Sequence, residues 1–98
     1  MTPKRLRELR DELAENYGNN TALLEPAETY DPAIIGVTAT GVFVYSWSKL
    51  VEQVTATMKD SKEPELDAIE WLEYNTLRSL PYMGDGAPVI MYDLEGYE

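Results

Sequence analysis

Glu73 and Asn75 are the residues whose types and placement come nearest to chemistry in this chain. They fall in a stretch, 64–79, that reads as a helix, with Pro64 opening it and Pro81 ending it. At about 100° per residue, Leu66, Ile69, Leu72 and Thr76 share one sector and Glu73 falls inside it. Ala68, Trp71 and Asn75 make a second flank. A carboxylate turned toward a core is costly unless paired, and such a group is a candidate general base. The structural alternative is a hydrogen bond from Glu73 or Asn75 to a turn or a tyrosine hydroxyl. Acid–base catalysis needs a second group, and the chain has no His and no Cys. The expectation is therefore no enzyme and no catalytic residue.

Binding chemistry is better represented. Glu63, Asp67 and Glu70 recur at steps of four and three, which puts them on one strip of the same helix, about 4.5–6 Å of rise apart. That spacing approaches the phosphate spacing of one nucleic-acid strand, whereas duplex DNA presents a charge every ~1.7 Å with both strands counted. A DNA mimic would need a second acidic row, from Asp11, Glu12 and Glu15 or from Asp93, Glu95 and Glu98. The plainer alternative is a solvated helix face. Seven Tyr and two Trp are many for a core this small. Some must reach the surface, where they make good interface anchors, and Trp71, Tyr74 and Tyr82 are the candidates beside the acids.

Metal and cofactor signals are weak. Asp31, Asp85 and Asp93 flank loops, but no spacing matches a calcium loop. Gly84-Asp85-Gly86 has neither the Lys nor the following helix of a phosphate cradle. The absence of His and Cys removes zinc sites, disulfides and nucleophilic triads. The expectation is no cofactor and no metal.

Charge sets the class of partner. The 98 residues carry 8 Lys+Arg and 18 Asp+Glu, a net charge of −10. Residues 1–10 hold four bases against one acid, a balance of +3, and the rest is left with −13. Such a surface repels nucleic acid and anionic membranes and attracts basic proteins. No apolar run approaches the ~20 residues of a membrane span, and the basic N-terminus leads into a charged helix instead of a signal-peptide core. Cytoplasmic location is the expectation.

The elements that must position these residues follow from caps and periodicity. Thr2 and Pro3 open a first helix with an apolar stripe of Leu6, Leu9, Leu13 and Tyr17, stopped by Gly18. Its bases sit at the N-terminal end and its acids at the C-terminal end, opposing the helix dipole. Residues 19–32 read as a connector pinned by Leu23 and Leu24. Residues 33–37 and 42–45 read as a hairpin turning at Gly41. Ser46 or Ser48 caps a helix over about 47–58, the third helix follows, and 88–92 forms a last strand. The order α-β-β-α-α-β predicts a single α+β domain over 1–98, a three-stranded sheet with helices packed on one face. Within it, 1–18 is the amphipathic helix, 31–92 the core and 93–98 a loose tail.

Asp31-Pro32-Ala33-Ile34-Ile35-Gly36-Val37, then Tyr45 to Glu52, then Ala68-Ile69-Glu70-Trp71-Leu72-Glu73-Tyr74-Asn75 through to Ile90 carry a resemblance. Together they resemble a group of small uncharacterised proteins encoded in bacteriophage and prophage genomes. Ser46 and Ser48 depart from the acidic residues expected just before Lys49. The resemblance implies a viral or mobile-element origin and, with it, a host-cell cytoplasmic setting. It implies no activity.

The expected function is thus a small acidic protein-binding module that inhibits a host-defence or nucleic-acid-processing protein by occupying its basic surface. Its contact residues would be Glu63, Asp67, Glu70, Trp71, Tyr74, Tyr82, Asp93 and Glu95. The alternative is a self-associating accessory module, a homodimer pairing a sheet edge or its aromatic face.

Overall fold

Thr2 opens helix α1 (Pro3–Tyr17) as its side chain allows: Oγ1 accepts the Arg5 N–H at 3.1 Å, and Pro3 takes the first turn. Gly18 closes the helix in the left-handed region, φ 64°, and donates its N–H to the Ala14 carbonyl. The computed structural model, which describes residues 1–94, buries Leu6 and Leu13 and packs Leu9 against them. Tyr17, expected to continue the buried stripe, is half exposed. The helix has passed the core by then, and the Tyr17 ring lies over Gly41 of the hairpin turn.

The stretch expected as a connector contains a helical turn, α2 (Ala27–Tyr30), which runs through a 3₁₀ turn at Asp31–Ala33 into the first strand. Pro26 and Pro32 stand at the starts of these turns, where a missing N–H costs nothing, so they initiate instead of breaking. Leu23 and Leu24 are buried, as their apolar character requires.

Strands β1 (Ile34–Val37) and β2 (Phe43–Ser46) are antiparallel, with Ile34 opposite Tyr45, Gly36 opposite Val44 and Val37 opposite Phe43, and a bulge at Ile35. Gly41, φ 84°, makes the turn, and Thr38 donates its N–H to the Val42 carbonyl at 2.8 Å. Strand β3 (Val89–Met91) lies parallel to β2 on its other side, giving a mixed sheet of order β1-β2-β3. A parallel pair needs a long crossover, and the two helices between β2 and β3 supply it.

Helix α3 (Trp47–Thr55) is capped by Ser46, whose Oγ accepts the Lys49 N–H. It stops short of the expected residue 58, where the Thr57 hydroxyl takes the Val54 carbonyl at 2.6 Å and competes with further helix. Helix α4 (Pro64–Trp71) continues without a break into a π-helical segment, Leu72–Leu77. The extent matches the 64–79 reading, but the interior differs. Ala68, Leu72 and Thr76, at intervals of four, face the core, the last from within the π turn. Leu66, ahead of the π turn, and Glu73 and Asn75, within it, are exposed.

The core gathers Leu6, Leu13, Tyr30, Phe43, Tyr45, Leu50 and Leu72 with their neighbours. Tyr45 is wholly buried, its ring edge-on to Tyr30 at 6.5 Å. Its phenolic oxygen accepts the Leu24 N–H at 2.8 Å, and burial pushes its pKa up to about 12. Tyr30 and Thr76 share a buried 2.9 Å hydrogen bond between hydroxyls. Gly86 meets the Asn20 backbone so closely that a Cβ there would run into the Asn20 carbonyl. No helix among the described residues is long and apolar enough to cross a membrane.

Candidate functional site

The strip on α4 is laid down by its cap. Pro64 takes the first helical position, and Ser61, just before it, accepts the Glu63 N–H at 3.1 Å while donating its hydroxyl to Asp67. From there the helix carries Glu63, Asp67 and Glu70 along one side, about 10 Å from first to last. Asp60, Glu65 and Glu73 extend the acidic stretch, and all six carboxylates are exposed. None forms an ion pair among the described residues; the four ion pairs found there all involve Arg5, Arg7 or Arg10 of α1. Arg78 stands over the Tyr74 ring, 4.8 Å from its centroid.

Aromatic surface borders the strip. Trp71 is 41% exposed and walls a hollow of about 250 Å³ with Pro26, Thr29, Tyr30, Val54, Thr57 and Met58. Tyr74 is 68% exposed on the π-helical turn beyond it. Tyr82 sits on the following 3₁₀ turn, Leu80–Tyr82, and is 90% exposed. The arrangement can do two things. Unpaired carboxylates attract cationic side chains, and the indole and phenol faces offer apolar area and cation–π contact once these arrive.

Asp93 does not belong with these residues. Instead of standing in a loose tail, it closes the start of α3, accepting hydroxyl hydrogen bonds from Ser46, at 2.7 Å, and from Ser48. Hydrogen bonds from Ser48 and then Ser46 hold its pKa below the ordinary carboxylate value. The two serines that stood out in the sequence thus act as donors to a carboxylate arriving from β3. Glu95 and the rest of the 95–98 tail lie outside the described residues.

The other acids singled out by sequence have separate settings. Glu73 projects into solvent, and Asn75 donates its Nδ2 to the Trp71 carbonyl at 2.9 Å. The core-facing position expected for Glu73 fails because the buried side of the helix runs through Ala68, Leu72 and Thr76, and Glu73 stands a residue step round from Leu72. Asp31 bonds Arg7, Asp85 accepts the Asn20 N–H at 3.3 Å, and Asp93 bonds the serines, so the three loop acids do not converge.

The basic start of α1 conceals a feature that sequence reading missed. Arg7 spans Asp31 at 2.7 Å and Glu25 at 2.8 Å, and its pKa is raised by these partners, Glu25 first. The Asp31 side chain is only 8% exposed, and its Oδ1 is buried without a hydrogen-bond partner. Glu25, Pro26 and Asp31-Pro32 were the only trace of this contact in the sequence, and they read equally well as loop. No protein-family model matches this chain, and neither the curated proteins nor the solved structures provide a match.

Proposed function

We propose that this chain is a small binding module that occupies a basic surface on another protein through the acidic side of α4. One observation carries the reading. Six carboxylates between residues 60 and 73 are exposed and without ion pairs among the described residues, while Arg5, Arg7 and Arg10 of α1 are engaged by neighbouring acids. Leaving like charges together raises the energy of the isolated chain, and an incoming cationic surface relieves it. Encounter is then fast and sensitive to salt, and Trp71 and Tyr74 supply the desolvated contact that slows dissociation.

In its sharp form, the reading makes the module an inhibitor of a host-defence or nucleic-acid-processing protein, acting without catalysis in the cytoplasm of an infected cell. The phage or prophage origin rests on the sequence resemblance alone. A basic nucleic-acid-processing protein fits because its working surface must be cationic to hold phosphates.

Capture from bacterial lysate tests the proposal, with the protein compared with its Glu63→Lys/Asp67→Lys/Glu70→Lys variant at low and high salt. The expected result is a basic protein retained at low salt by the unmodified chain, shed at high salt, and absent with the variant. Equal retention by both chains would remove α4 as the docking face.

A further inference from the structure

The free edge of β1 points to a second copy of this chain. Order β1-β2-β3 leaves β1 with a neighbour on one side only. A groove of about 500 Å³ runs between it and the first half of α1. All four successive residues of β1 line that groove, together with Leu6 and Leu9 of α1. Thr38 faces β2 through its N–H bond to Val42, and Gly36, opposite Val44, faces it again two residues away. Alternation then turns the N–H and C=O of Val37 outward. The strand Ile34-Ile35-Gly36-Val37 has no charge and no proline to discourage pairing, and the bulge at Ile35 is its one irregularity.

Charge identifies the occupant. Helix α1 runs in the same direction as β1, because Arg7 bonds Asp31 at the start of the strand while Asn19 Nδ2 reaches the Thr40 carbonyl beyond its end, at 3.2 Å. Along α1, Arg5 pairs with Glu12 and Arg10 with Asp11 within the helix, which leaves Lys4 at the first end and Glu15 toward the other without ion pairs among the described residues, an order the helix dipole disfavours. A basic partner would meet Lys4. A second copy related by a twofold axis would not, since antiparallel pairing of the two β1 strands sets the basic end of each α1 against the acidic end of the other.

We propose that β1 pairs antiparallel with β1 of a second copy, joining two sheets into one of six strands with the α1 helices side by side in opposite directions. This edge shares no residue with the acidic strip of α4, so its failure leaves that reading standing. Lys4 and Glu15, without ion pairs among the described residues of one chain, become complementary between two.

Sedimentation equilibrium from micromolar to millimolar protein tests this. The expected result is a concentration-dependent dimer that Val37→Lys abolishes by placing a charge on the paired edge. Lys4→Glu weakens the dimer several-fold, and adding Glu15→Lys to it restores the dimer to within about twofold, since the swapped charges again face each other. A monomer at every concentration overturns the proposal. So does a dimer indifferent to Val37→Lys and to the Lys4/Glu15 swap. Should Val37→Lys not fold, hydrogen exchange in the unmodified chain decides: the Val37 amide gains protection with protein concentration if the strands pair, and keeps one rate if they do not.

Discussion

Arg7 and Asp31 meet at 2.7 Å where α1 crosses the entry to β1, with Arg7 22% and Asp31 8% exposed at the side chain. This contact ties the N-terminal helix to the sheet and takes up a charge that would otherwise stand against the helix dipole. Removing one member of a buried pair leaves the other uncompensated, which costs about 3–5 kcal/mol when both are fully buried. Arg7 retains some solvent, so Arg7→Met is expected to cost about 2 kcal/mol. Glu25, on the outer side of the same guanidinium, is exposed, and Glu25→Gln is expected to stay within about 0.5 kcal/mol. Urea unfolding midpoints for the two variants check the contrast.

The hydroxyl pair Tyr30–Thr76 locks the π-helical turn onto α2. Thr76→Val keeps the shape and leaves the Tyr30 hydroxyl buried without its partner, a loss of about 1–2 kcal/mol. The same experiment on exposed Asn75→Ala should change stability by no more than about 0.5 kcal/mol. Equal effects at 75 and 76 would mean that the turn presents a different face to the core.

Alkaline pH should unfold the chain through Tyr45. Its proton is held up to about pH 12 in the folded state and is lost near pH 10 when the chain unfolds. A raised pKa contributes stability that is whole below the unfolded value and declines as pH rises toward the folded one. The predicted loss runs from pH 10 to about 12 and reaches about 3 kcal/mol. Circular dichroism with denaturant across that range reads it, and Tyr45→Phe should flatten that pH dependence while lowering stability at neutral pH.

Asp93 gives the opposite sign. Its pKa is depressed by the Ser48 and Ser46 hydroxyls, so its contribution is present above the ordinary carboxylate pKa and disappears as pH falls through the lowered value. Ser48→Ala should move the Asp93 carboxyl titration upward, as followed by carbon NMR. An unmoved titration would place the serine hydroxyls elsewhere.

The sequence was most legible where one residue has one physical use. Thr2-Pro3 spells a helix start, Gly41 a turn, and Phe43 with Tyr45 a central strand. It was least legible where the period changes. The expected sector of Leu66, Ile69, Leu72 and Thr76 held Glu73, while the buried side runs through Ala68, Leu72 and Thr76, and residues Leu72–Leu77 turn as a π-helix. Nothing in Leu72-Glu73-Tyr74-Asn75-Thr76-Leu77 announces that change. The Thr76 hydroxyl within it meets the hydroxyl of Tyr30, 46 residues away in the chain. Prolines misled for a related reason: Pro26 and Pro32 read as loop until their positions at the starts of turns are known. Of the candidate contact residues, Glu63, Asp67 and Glu70 were placed on one strip by periodicity, because they precede the π turn. Asp93 was misread because its serine partners lie more than forty residues earlier in the chain.

The most direct measurement of the central claim is the association rate with the lysate-captured basic protein as ionic strength rises. With α4 as the docking face, the unmodified chain should lose about tenfold or more in association rate as salt screens the six carboxylates. The Glu63→Lys/Asp67→Lys/Glu70→Lys variant should associate slowly at every salt concentration, with little slope. A steep salt dependence retained by that variant would contradict the account.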